Sequence, residues 1–357
     1  MLPIQPPFIP LFFKKNNTKN NSSYEKIFLS WEDALWQLLR NHQIPKDSVV
    51  LVPNFFCWDV VENMETHGLK HIVYEVDKYL QPNQIDFENK LKEFNPAIII
   101  IFNAVGITNS LFKNIEWLRH LQKEAILIED CVHKIIDPEK ISFITKNHYL
   151  IDSLRKVVPI QGSRVFSQQK IVNPSFTSNL STAWYRTRVF YWWIVMQLAL
   201  VLVYVSNNNF IQRYGNRLAE YAMKTGYNII GDHANPSSAP RIMGLLAKKI
   251  NIDLIKKIKE KQTNLYSDLL KNVFTKEVFF KIPFSNSDKK ELRGFPLGIE
   301  LAKANLFLNH IRSKGVLVRF ELDDSLWANK QKVVYLPMGP QVSEKDIEMV
   351  CDVIKSF

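Results

Sequence analysis

The run "AIIIIFNAVG" at 97–106 decides the fold. From Ala97 to Phe102 no side chain is polar, so a strand here has no face to offer water. Strands of that kind belong to parallel sheets covered on both sides. Four more runs read the same way: "SVVLVP" (48–53), "HIVYEVD" (71–77), "AILIEDC" (125–131) and "HYLIDS" (148–153). Amphipathic stretches separate them, "WEDALWQLLRNH", "FCWDVVENMETHG", "IDFENKLKEF" and "FKNIEWLRHLQKE", and the second closes on Gly68, a helix-ending glycine. Alternation of strand and helix predicts an α/β fold with a mainly parallel, doubly wound sheet. Such sheets collect ligands beyond the carboxyl ends of their strands.

With 357 residues, the chain can build one large domain and a smaller one. Prolines interrupt the apolar start, "MLPIQPPFIPLFFKK", which reads as an arm over 1–27 that packs on its own protein or a partner subunit, not as a signal peptide. A large domain is expected over 28–240. After it, a basic amphipathic helix leads into a small α+β domain, 241–357, with strands in "GFPLGIEL" and "KVVYLPMG" and helices in "KANLFLNHIRSKG" and "SEKDIEMVCDVIKSF". Cys57, Cys131 and Cys351 share no metal-ligand spacing and form no disulfide framework, which points to a reducing, cytoplasmic setting and no metal. The net charge is +11, yet the lysines are dispersed and no nucleic-acid-binding motif accompanies them. The most apolar segment is "VFYWWIVMQLALVLVYV" (189–205), slightly short for a membrane span. It reads as a buried or subunit-interface helix, with contact to a membrane surface as the alternative.

The chemistry-bearing residues gather at strand ends. "IEDCVH" puts Asp130 at the end of the fourth strand with His133 three residues on, and "DSLRK" puts Ser153 three residues before Lys156. Lys156 stands before the apolar "VVP", where an ammonium either snorkels to water or serves as a reactive amine. Asp130 either caps the next helix or faces a cation. A pyridoxal phosphate enzyme needs this set: an amine for the imine, a carboxylate beside the pyridine nitrogen, and hydroxyls or amides for the phosphate.

Order and spacing resemble the DegT/StrS-type sugar aminotransferases, a family of fold-type I pyridoxal phosphate enzymes. The resemblance rests on "VVLVPNFFCWDVVENMETHGLKHIVYEVD", "AIIIIFNAVG", "ILIEDCVHKI", "DSLRKVVPIQGSRVF", "SSAPRIMGLLAKKINIDLIKKIKEKQTNLYSDLL" and "VVYLPMGPQVSEKDIEMV". It runs from about residue 28 to 354 and is weakest over 168–235. It implies that Lys156 forms the Schiff base, that Asp130 partners the pyridinium, that His133 lies near the ring oxygen, and that Ser153 contacts the phosphate. Cys57 matches the ring-stacking position, with its neighbour Trp58 as the substitute; Ser30 and Arg164 are further phosphate candidates, and Arg155 either offsets charge there or is a surface residue. The resemblance also implies a homodimer, an amino acid donor and a nucleotide-linked keto sugar as acceptor. Two departures stand out: Trp31, Glu32 and Asp33 replace the small residues expected at the phosphate, and "PIQGSR" keeps Gly162 but has Ser163 where a second glycine is usual. Those departures sustain a contrasting expectation, a non-catalytic relative with a binding or membrane role.

Overall fold

The computed structural model describes residues 5–14, 24–121, 124–172, 180–206, 208–230, 235–275 and 277–357. After a short 3₁₀ turn at Pro10–Phe12, the chain forms β1 (Tyr24–Phe28), α1 (Trp31–Asn41), β2 (Val49–Pro53), α2 (Trp58–Thr66), β3 (Lys70–Tyr74), α3 (Gln84–Phe94), β4 (Ile98–Phe102), α4 (Ile115–Leu121), β5 (Ile126–Asp130), β6 (His148–Ile151) and β7 (Ser163–Ser167). These seven strands make one sheet in the order β1-β7-β6-β5-β4-β2-β3. The neighbours from β6 through β3 are parallel, while β7 runs antiparallel to both β6 and β1. Every residue of β4 is buried, as its wholly apolar sequence requires. Cα register aligns Phe102 with Asp130 and Asp130 with Ile151, so three strand ends form one rim.

A helical hairpin follows, α5 (Leu180–Val205) and α6 (Asn209–Ile229). Then come α7 (Arg241–Lys248), α8 (Ile252–Leu270), β8 (Phe279–Lys281), β9 (Phe295–Glu300), α9 (Leu301–Ser313), β10 (Gln331–Leu336) and α10 (Glu344–Lys355). The last strands form a separate antiparallel sheet, β10-β9-β8, with its own core around Tyr266, Phe295, Phe307 and Ile347. Within the amino-terminal arm, Ile9 and Phe12 pack on their own chain, against Val158, Met243 and Ile250.

The segment after β6 is fastened by three features. Asp152 and Arg164, 1% and 2% exposed at the side chain, form an ion pair at 2.8 Å. Asp152 Oδ1 also accepts from the Arg164 backbone N–H, and Arg164 donates to the Ile136 carbonyl, both bonds crossing buried space. Gly162 has φ +134, and a Cβ there would lie 2.8 Å from the Phe28 carbonyl oxygen, so only glycine lets β1 close over the turn. Leu154, Val157, Val158 and Ile160 fill the apolar cluster beneath. The run 148–166 is therefore two strands joined by a buried turn, not one continuous strand, and Lys156 ends a 3₁₀ turn within it.

Arg164 corrects an expectation. It is not a phosphate ligand, because β7 directs it to the Asp152 carboxylate, away from the cavity that holds Lys156. Removing one member of a buried pair strands the other charge. Arg164→Met is expected to lower unfolding stability by about 3–5 kcal/mol, measured by urea denaturation.

Candidate active site

Beyond the rim lies a cleft of about 720 Å³. Asp130 from β5, Ser153 and Lys156 from the turn after β6, and Cys57 at the start of α2 all line it. Four sequence-derived candidates thus meet in one place. Phe56, Phe102, Val132 and Leu322 supply apolar walls, the last from the small domain, and Arg155 and Tyr227 close one side.

Asp130 is 3% exposed and accepts one bond within its own turn, from Val132 N–H at 3.0 Å. Burial pushes its carboxyl up to about 7, opposed by that bond and by the Lys156 charge and reinforced by Glu32. Among the described residues it has no ion-pair partner. Lys156 Nζ has no hydrogen-bond or ion-pair partner among the described residues. Lys156 also lines a second cleft of about 690 Å³, with Lys259, Arg293, Arg319, Glu321 and Gln341. Lys156 therefore belongs to the lining of both clefts. Cys57 carries a neutral thiol, since burial pushes it up to about 12 despite Lys156.

Other candidates take different positions. Trp58 turns away, its ring edge-on to His71 at 5.4 Å, while its backbone N–H donates to Asp324 Oδ2. Ser30 caps α1: its Oγ accepts from the Asp33 N–H at 3.1 Å and donates to Asp33 Oδ2 at 2.8 Å. Neither lines the cleft. His133 is fully buried beside it, not in its wall. Its Nδ1 accepts the Val105 N–H at 3.1 Å, which leaves Nε2–H to face Glu321 Oε1 at 3.2 Å. Glu321 in turn receives Arg293 at 2.7 Å. Burial, with Lys156 and Arg293, pushes His133 down to about 3 against the pull of Glu321. It is a neutral link to the small domain.

That link strains the backbone. Val105 has φ +64, a left-handed conformation unfavourable for a β-branched residue. Both its backbone groups are used, the N–H by His133 and the carbonyl by Arg293 N–H at 2.9 Å.

Glu32 and Asp33 separate. Asp33 points into the core, where it accepts Ser237 N–H at 2.8 Å and Tyr185 O–H at 3.2 Å; burial pushes it up to about 7. Glu32 alone lines the cleft, with Trp31, and both Glu32 Oε2 and Trp31 Nε1 are buried without a hydrogen-bond partner among the described residues. Arg155 and Tyr227 were not foreseen as a unit. The guanidinium stacks 4.0 Å from the Tyr227 ring centroid. Burial works to raise the Tyr227 phenol, but Arg155, Lys156, Arg319 and Arg293 outweigh it and hold it below the usual tyrosine range.

These residues accommodate pyridoxal phosphate. Asp130 would face the ring nitrogen, Lys156 the aldehyde carbon, and Cys57, Phe56 or Val132 the ring faces. Trp31 Nε1–H, Ser153 and Arg155 are the donors available to the phosphate, with Glu32 opposing it.

Comparison with solved structures places the fold. The chain aligns with a DegT DnrJ EryC1 StrS aminotransferase from Brucella abortus at TM-score 0.58 and 16% identity, covering 94% of this chain and 85% of that one. A putative sugar aminotransferase from Streptococcus pneumoniae in its PMP form aligns at TM-score 0.59 and 12% identity, over 100% and 98% of the two chains. Helicobacter pylori PseC, an aminotransferase involved in the biosynthesis of pseudoaminic acid, aligns at 0.59 and 10%, over the whole of both. The chain has the fold of these aminotransferases, fold-type I with a mainly parallel large sheet and a smaller antiparallel one. No family model matches the sequence, and no curated protein sequence does.

The depressed His133 makes acid destabilising. Below about 6.5 the unfolded histidine takes up a proton that the folded one refuses until about 3, so stability falls as pH falls. From pH 6.5 to 4.5 the His133→Gln variant is expected to lose up to about 1.4 kcal/mol per pH unit of the wild-type slope, read from urea denaturation at each pH.

Proposed function

We propose that the protein is a pyridoxal phosphate-dependent aminotransferase that moves an amino group from an amino acid, glutamate or glutamine, to a nucleotide-linked keto sugar in amino-sugar or surface polysaccharide synthesis. The observation that carries this reading is Asp130 and Lys156 in the wall of one cleft, the carboxylate buried without an ion-pair partner and the amine without a hydrogen-bond partner among the described residues. When bound, the cofactor supplies an electron sink for the carbanion formed at the substrate's alpha carbon.

The chain's own residues do the rest. Asp130 holds a proton at the pyridine nitrogen, and a cation there relieves the burial that raises its own carboxyl. Lys156 moves the proton at the alpha carbon, and it lines both the cleft suited to the cofactor and the adjoining cationic one. Lys259, Arg293 and Arg319 make the second cleft suitable for carboxylate or diphosphate groups. Phe56, Phe102 and Val132 keep water from the ring. The reading carries with it a cytoplasmic homodimer.

Wild-type protein given pyridoxal phosphate is expected to gain visible absorbance that survives desalting, and borohydride is expected to fix the label on Lys156. Lys156→Ala abolishes both. A colourless wild type, or a label fixed on Lys259, would overturn the assignment. Glu32→Gln removes the carboxylate that opposes the phosphate and should tighten cofactor binding about tenfold, as measured by fluorescence titration.

A further inference from the structure

The α5–α6 hairpin has an anchored base and a bare tip. At the base Tyr185 O–H donates to Asp33, Val189 and Ile229 pack on Leu29, and Tyr227 stacks on Arg155. Farther out, Gln197 reaches the Pro6 carbonyl, while Ala199, Leu200, Ala219 and Ala222 pack the two helices on each other. Beyond them Leu202, Val205, Phe210, Ile211, Tyr214 and Leu218 are 41–66% exposed. They follow helical spacing on both strands of the hairpin, so each helix carries one unpartnered apolar stripe. Scattered exposed leucines need no explanation; a continuous apolar tip does.

Charge identifies what covers it. No charged residue occurs from Val189 to Gln212. On α6 beyond that gap stand Arg213 and Arg217, neither with a carboxylate partner among the described residues, whereas the single acid of the hairpin, Glu220, is paired with Lys224 at 3.1 Å. Tyrosines flank the tip: Tyr204 is exposed at the end of α5, and Tyr214 lies under the Arg217 guanidinium at 5.8 Å. An apolar turn bordered by tyrosines and by two arginines suits an anionic bilayer surface. A second copy of the chain seated tip to tip would instead bring two net-positive hairpins together.

A full crossing is disfavoured. α5 is long and apolar enough over Ala183–Val205, but α6 carries Arg213, Arg217, Glu220 and Lys224 along its length, and both hairpin ends are fastened to the large domain.

We propose that the hairpin tip docks the protein on an anionic membrane surface, with the apolar turn inserted among acyl chains and Arg213 and Arg217 at the headgroups. The test is sedimentation of the full chain with phosphatidylglycerol-containing vesicles and, separately, with pure phosphatidylcholine vesicles. Preferential binding to the anionic vesicles, weakened by salt, is expected. The double variant Leu202→Glu, Phe210→Glu should lower that binding at least about tenfold, with an unchanged melting profile and an unchanged mass by light scattering. No binding to anionic vesicles, equal binding to both kinds, or binding that the double variant retains would overturn the proposal. So would a double variant whose mass drops to that of a smaller oligomer, because the tip would then be a contact between copies of this chain.

Discussion

The position of Lys156 depends on an ion pair that never touches the cleft. Asp152 and Arg164 meet at 2.8 Å in nearly dry surroundings and fix both arms of the turn between β6 and β7. Burial raises the Asp152 carboxyl even beside its partner, so the pair is costly to assemble. What it provides is geometry: the backbone returns through Gly162 under β1, and the amine comes out at the rim beside Asp130. A hydrophobic pair in the same place could hold the strands together, but it would lack the backbone and side-chain bonds that set the turn's register.

The cleft itself is a study in opposed electrostatics. Asp130 is a carboxylate that needs a cation, Lys156 an amine that needs a partner, and Glu32 an acid where an anion would sit. Arg155 lines the same cleft, and Arg293 and Arg319 line the second one that Lys156 also borders. The excess of positive charge is strong enough to hold the Tyr227 phenol low in spite of its burial. Such arrangements are tolerated where a ligand completes them.

Much of this was legible in the sequence. Runs without a polar residue could only be doubly covered strands, and β2 to β6 lie where "SVVLVP", "HIVYEVD", "AIIIIFNAVG", "AILIEDC" and "HYLIDS" put them. The rim positions of Asp130, Ser153, Lys156 and Cys57 follow from those strand ends. β1 and β7 were harder, because "YEKIF" and "SRVFS" mix charge with apolar residues and acquire strand identity from pairing with each other. Arg164 was misplaced because the pleat of β7 sets the direction of its side chain, and the sequence does not say which face of that strand meets the cleft. Trp58 fell one helical position outside the wall that Cys57 occupies. Tyr227 had no local signal at all, since it reaches the cleft from a hairpin dozens of residues downstream.

Asp33 gathers bonds from Ser30, Tyr185 and Ser237, three segments far apart along the chain. The wall formed by Trp31 and Glu32 therefore cannot reach its final shape early in folding. It waits for a segment some two hundred positions later to return and donate the Ser237 amide. A nascent chain carries the beginning of its cleft long before it carries the piece that completes it.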